Sequence, residues 1–108
     1  MARVRDRATF EALGRARRHR QGPVSLCRVP PDGSGAPRVA YAVGKRAGNA
    51  VVRNRIRRRL RAAVAGEADA FSPGAAYLVG GTREVISMSF DELCATVAAL
   101  AAEAGTAR

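Results

Sequence analysis

The sequence predicts an α+β fold, a small mixed β-sheet packed with helices, and three observations carry that prediction. Two short alternating runs, at 24–29 and 38–43, flank a block rich in Pro and Gly. Apolar residues recur at helical spacing over about 50–65 and again behind Ser89. A third apolar run, 75–80, is short and bounded by Gly. The resulting order is helix, strand, strand, helix, strand, helix, which is neither all-α nor alternating βα. With 108 residues there is room for one domain, 1–108, ending in a loose tail from about 105.

Residues 6–16 read as a short helix with Phe10, Leu13 and Ala16 three apart, weakened by Gly14. Arg15, Arg17, Arg18, His19 and Arg20 follow as a basic exit that ends at Gly22-Pro23. The runs 24–29 and 38–43, the second with Val39, Tyr41 and Val43 on one face, predict an antiparallel hairpin around the turn block Pro30–Pro37. Asn49 is placed to cap a helix over about 50–65 carrying Val52, Ile56, Leu60 and Ala63, with Gly66 as its stop. Ala75–Gly80 reads as a buried strand. Ser89-Phe90-Asp91-Glu92 is a capping box for a last helix to about Ala104, with Leu93, Val97 and Leu100 inward.

Charge narrows the function. Nineteen Lys and Arg stand against nine Asp and Glu, a net +10, and Lys45 is the only Lys. Residues 1–61 hold 17 basic and 3 acidic side chains, whereas 62–108 hold 2 and 6. High-GC codon usage favours Arg but cannot divide the chain this way. A one-sided positive field is the mark of a polyanion-binding surface. From Arg38 to Arg61 there are nine basic residues and no acid. On a helix, Arg53, Arg57 and Arg61 share one flank, and Arg55, Arg58 and Arg59 lie on the other side of the apolar stripe. Like charges at that spacing repel by about 0.2–0.5 kcal/mol per pair. A polyphosphate repays this, and each guanidinium fork can grip a pair of phosphate oxygens.

Other function classes find little support. Cys27 and Cys94 stand far apart with one His in the chain, so neither a metal-site spacing nor a disulfide framework is present, and buried reduced thiols are expected. No Ser/His/Asp set, paired-carboxylate motif or phosphate-cradling Gly loop appears. His19 reads as solvated or as a phosphate contact. Without an apolar leader or a membrane-length segment, a soluble cytoplasmic protein is predicted, with no membrane partner and no small-molecule substrate.

The pattern Gly48-Asn49-Ala50-Val51-Val52-Arg53-Asn54-Arg55-Ile56-Arg57-Arg58-Arg59-Leu60-Arg61, preceded by Lys45-Arg46, closely resembles the signature of the bacterial ribonuclease P protein family. In that family an Arg-Asn-Arg motif opens a basic helix three residues after an Ala, here Arg53-Asn54-Arg55 after Ala50. Phe10 matches the first-helix Phe, and Tyr77-Leu78-Val79 fits a later strand. The resemblance implies a protein subunit whose catalyst is RNA, which with bound Mg²⁺ removes the 5′ leader of precursor tRNA. It implies no catalytic side chain in this chain. By the same resemblance, Lys45, Arg46, Asn49, Arg53, Asn54, Arg55, Arg57, Arg58 and Arg61 would meet the catalytic RNA. Phe10, Arg15, Arg17, Arg18 and Arg20 would meet the single-stranded leader, in a cleft between the first helix and the sheet. The fold implied is similar to a ribosomal-protein domain, with a left-handed βαβ crossover against the usual rule.

Relatives often carry a second aromatic one turn after the first-helix Phe, where this chain has Gly14. They also carry one in the first strand, where this chain has Leu26 and Cys27. Leader binding is therefore expected to lean on the arginines. Phe10 is read either as a stacking platform or as core, and Tyr41 and Tyr77 as core. Two alternatives stay open on the residues alone: a ribosomal or ribosome-assembly RNA binder without a reaction, and a nucleoid-type DNA binder. Support of precursor-tRNA cleavage excludes the first alternative. Preference for duplex DNA would favour the second.

Overall fold

The computed structural model describes residues 1–33 and 35–106. Its elements are β1 (Ala2–Arg3), α1 (Arg7–Arg15), β2 (His19–Gln21), β3 (Val24–Val29), β4 (Arg38–Ala42), α2 (Ala50–Gly66), β5 (Ala76–Gly81) and α3 (Phe90–Thr106). Short 3₁₀ turns at Lys45–Ala47, Ala68–Ala70 and Arg83–Ser87 connect them. The α+β class stands, with five strands rather than three.

The sheet order is β1-β4-β5-β3-β2. This corrects the predicted hairpin: β3 and β4 do not pair, because β5 lies between them, antiparallel to β3 and parallel to β4. Two physical reasons explain it. The 30–37 connection is longer than the two to five residues a hairpin normally takes. β5 is also the strand with the least water contact, since Ala76, Tyr77, Val79 and Gly80 are all buried, so it belongs in the centre. The parallel β4–β5 pair then requires a crossover, and α2 is that crossover.

A hairpin does exist one element earlier. β2 pairs β3 across Gly22-Pro23, with His19 opposite Leu26 and Gln21 opposite Val24. Gly22 has φ +56°, the left-handed geometry that tight two-residue hairpins require. The basic exit is thus partly an edge strand, and His19 is neither solvated nor a surface phosphate contact. It is 6% exposed, turned toward α3, with Nδ1 3.7 Å from Glu103 Oε1. β2 shows no apolar alternation because its other residues face solvent at a sheet edge, where polar side chains are favoured.

Strand alternation separates two cores. Val24, Leu26, Val39, Val43, Tyr77 and Val79 face Ile56, Leu60, Ala63 and Val64 of α2 and Leu93, Val97, Leu100 and Ala101 of α3. Cys27 and Ala76 point the other way, against Leu13 of α1 and Val4. One face of the sheet therefore carries two helices, and the other carries only the nine-residue α1. A short helix cannot cover a five-stranded face, so part of it stays open.

Local rules hold well at the helix starts. Asp6 caps α1, its Oδ2 accepting from the Thr9 N–H at 2.9 Å and the Thr9 hydroxyl at 2.7 Å, bonds that hold the carboxyl below its ordinary range. Ser89 Oγ accepts from the Glu92 N–H at 3.1 Å, as the capping box predicts. α3 continues to Thr106, so Gly105 and Thr106 of the expected loose tail are helical, while 107–108 lie outside the described residues. Ser34 of the turn block also lies outside them. Both cysteines are free, Cys27 buried and Cys94 half-buried. Burial, with Glu67 and Asp91 nearby, pushes the Cys94 thiol up, away from reactivity.

Candidate nucleic-acid interface

The start of α2 is fixed to the residue. Gly48 has φ +143°, and a Cβ there would lie 2.9 Å from Val52 Cγ1. Asn49 Oδ1 accepts from the Val52 N–H at 3.0 Å, so its predicted capping role holds and its side-chain oxygen is committed to the helix. With Ile56 and Leu60 fully buried, the rotation of the helix is set, and with it the direction of every arginine. The 3₁₀ turn ahead of it carries Lys45 and Arg46, both exposed.

The arginines fall into three groups. Arg55 and Arg58 are exposed on the outer side. Asn54 is exposed beside them and accepts from Arg57 Nη1 at 3.0 Å. Arg57 and Arg61 lean over the sheet edge, Arg61 5.3 Å above the Tyr41 ring, within cation–π range. Arg53, on the same flank, is half-buried, and its Nε has no partner among the described residues.

Arg59 faces the protein. Its guanidinium donates to the carbonyls of Val85 at 2.6 Å, Ile86 at 2.9 Å and Met88 at 2.8 Å, closing the 3₁₀ turn before α3. Arg59→Ala would leave those part-buried carbonyls without their donor, at about 1–3 kcal/mol. Thermal melting should show the loss, while the salt dependence of RNA binding should scarcely change. A flattened salt dependence with an unchanged Tm would reverse this assignment.

Two clefts adjoin the cationic flank. The first, about 520 Å³, lies on the open part of the sheet face beside α1, with Ser25, Cys27, Ala42, Leu78 and Gly80 as floor and Arg18, Arg20 and Arg57 at its rim. The second, about 770 Å³, lies over the β1–β4 edge, between Met1–Val4, Phe10, Val39–Tyr41 and the Arg57, Arg61 and Ala65 side of α2. A shallower groove of about 410 Å³ runs along α2 between Val51, Asn54, Arg57, Arg58 and Arg61. Arg57 lines all three.

The predicted leader set is therefore divided. Arg18 and Arg20 share the first cleft, and Phe10 stands in the second, 46% exposed and outside the core. Arg15 and Arg17 are exposed and line neither. Arg57 and Arg61, expected on the catalytic-RNA side, line the outer groove of α2 and also reach the cleft that holds Phe10. Sequence reasoning missed the cleft floor. Its only trace is small residues, Ser25 and Cys27 at alternate positions with Ala42 and Gly80, on one face of three neighbouring strands. Among the described residues no three His, Cys, Asp or Glu side chains gather as a metal-binding group, and no helix is long and apolar enough to cross a membrane.

The family model described as Ribonuclease P matches residues 1–105. The chain belongs to the ribonuclease P protein family. It is the protein component, the accessory subunit of an endoribonuclease that processes tRNA. Relatives named ribonuclease P protein component include that of Brucella suis, 34% identical over 101 residues, covering 84% of this chain and 71% of the relative. That of a Nocardioides species is 44% identical over 80 residues, covering 71% and 68%. The solved ribonuclease P protein of Thermotoga maritima superimposes with a TM-score of 0.78 at 17% identity, covering 95% of this chain and 97% of that one. Five strands and three helices are thus the ribonuclease P protein fold, kept where little sequence is shared.

Proposed function

We propose that this chain works in the cytoplasm by bridging two RNAs. The exposed outer side of α2, with Arg55, Arg58 and the Lys45-Arg46 turn, docks on the catalytic RNA of ribonuclease P. The sheet cleft, with Arg18, Arg20 and Arg57, receives the single-stranded 5′ leader of precursor tRNA. Supporting this reading is the place of Arg57, which lines the outer groove of α2 and both clefts, so one cationic ridge serves both sides. The cleft suits a single strand: a floor of small side chains admits an extended backbone, and the rim arginines meet its phosphates. Duplex RNA has no comparable way into a cleft of about 520 Å³.

In this reading the Mg²⁺ of the reaction is held mainly by the catalytic RNA. The chain's own part is to bind and orient. Purified protein combined with the cognate RNA should enable precursor-tRNA cleavage at Mg²⁺ concentrations where the RNA alone is nearly inactive. It should also bind precursor tRNA more tightly than mature tRNA. Failure to promote cleavage would reject the reading.

A further inference from the structure

β2 is three residues long and lies at the edge of the sheet, hydrogen-bonded there to β3. Alternation sends its side chains to opposite faces. Arg20 pairs with Ser25, and both line the sheet cleft, as does Arg18. His19 pairs with Leu26 and faces the other way, toward α3. It is the one buried side chain of the strand, since Arg20 and Gln21 are exposed. So short a strand has little to fix its register. Its far end is held by the Gly22-Pro23 turn, where the Pro23 carbonyl accepts from the Thr82 N–H at 3.0 Å. Its near end depends on His19. A slip of one residue would turn His19 to solvent and drive an arginine toward the core.

From this we infer that His19 and Glu103 are positioning residues for RNA binding in the sheet cleft. Glu103, on the last turn of α3, holds the imidazole, and the imidazole holds β2 in the register that aims Arg18 and Arg20 across the cleft. This rests on the leader reading above and adds two residues that touch no RNA themselves. Nδ1 of His19 lies 3.7 Å from Oε1 of Glu103. That carboxylate has no other ionic partner among the described residues. An apolar side chain could pack beside Leu26 equally well, but only one that carries a donor can be fixed by a carboxylate. Glu103 is on the helix-bearing side of the sheet and the cleft is on the other, so its carboxylate acts on the rim only through β2. The end of the C-terminal helix thereby sets the geometry of two arginines on the opposite face.

Glu103→Ala in the complete protein–RNA holoenzyme is the sharpest test, because charge and positioning predict opposite signs. Glu103 is exposed and Ala is a good helix former, so the variant should fold. By charge alone, removing an acid from a cationic protein should leave RNA binding unchanged or tighter. Lost positioning should instead weaken precursor tRNA binding by roughly threefold to tenfold, with mature tRNA unaffected. The log–log salt slope for the precursor should fall by about 1, as a misaimed arginine gives up its phosphate. His19→Ala should match it, and the double variant should be no worse than either single. His19→Asn and Glu103→Gln, which keep a donor and an acceptor in place, should recover most of the loss. Should His19→Ala melt below the assay temperature, Glu103→Ala and Glu103→Gln decide between them. Losses that multiply in the double variant would overturn the pairing, as would a Glu103→Ala holoenzyme with wild-type precursor preference. The double change of Arg18 and Arg20 to Ala is measured alongside. If that protein keeps its precursor preference, the leader reading of the cleft falls, and the positioning role with it. If it loses the preference while Glu103→Ala and His19→Ala keep it, the positioning role alone is overturned.

Discussion

Changing Arg46, Arg55 and Arg58 together to Ala should weaken assembly with ribonuclease P RNA on the order of a hundredfold at low salt, from about 1 kcal/mol per exposed charge contact. The more telling quantity is the slope of log affinity against log salt. Each neutralised phosphate contributes about 0.7–0.9 to it, so losing three contacts should flatten it by about 2–3. All three side chains are exposed, and the ion pairs of the described residues engage Arg7, His19 and Arg38 instead. Folding should not suffer. Arg55 and Arg58 are like charges three apart on a helix, and removing them relieves about 0.2–0.5 kcal/mol of repulsion. The triple variant should therefore melt at the same temperature or slightly higher while binding far more weakly. Arg59→Ala should do the reverse. Filter binding of the cognate RNA across a salt series reads both. A triple variant with an unchanged slope would remove the outer side of α2 as the docking face.

How much of this could be read in the sequence depends on whether a feature is local. The helix α2 was legible because its cap, stripe and stop lie within one continuous stretch, from Asn49 through Ile56, Leu60 and Ala63 to Gly66. The wheel also placed Arg53, Arg57 and Arg61 on one flank. It could not say that this flank overhangs Tyr41 and Phe10, because that depends on which strand lies beneath. Strand partners were illegible for the same reason: Val24–Val29 and Arg38–Ala42 announce strands, but nothing in either run names β5 as the neighbour of both. β1, two residues long, has no period to detect. By residue type alone, His19 and Arg59 read as surface groups. Each is held by a distant partner, Glu103 for one and the 3₁₀ carbonyls for the other. The signature resemblance supplied the family, and three-dimensional contacts divided its arginines into outward, cleft-facing and structural.

Gly80→Val should cost both stability and the preference for leader-bearing tRNA. Gly80 pairs with Ser25 of β3 on one side and Ala42 of β4 on the other. A Cβ there would lie 2.8 Å from Ser25 Oγ and 3.0 Å from the Ala42 carbonyl oxygen. The serine hydroxyl can rotate away. The carbonyl belongs to the β4 backbone and can retreat only by loosening the β4–β5 ladder. β5 is hydrogen-bonded on both edges, so it has no free side toward which to shift. Overpacking of this kind costs about 1–3 kcal/mol, a large share of the roughly 5–15 kcal/mol typical of a domain. The two methyl groups beyond Cβ would project into the cleft of about 520 Å³, where the strand backbone is proposed to lie. Gly80→Ala, with Cβ alone, should show a smaller loss of Tm and a partial loss of precursor preference. The decisive comparison is the ratio of precursor to mature tRNA affinity, measured at a temperature where the variant remains folded. If Gly80→Val melts lower yet keeps that ratio, the leader runs elsewhere, and the small-residue floor serves only the close approach of three strands.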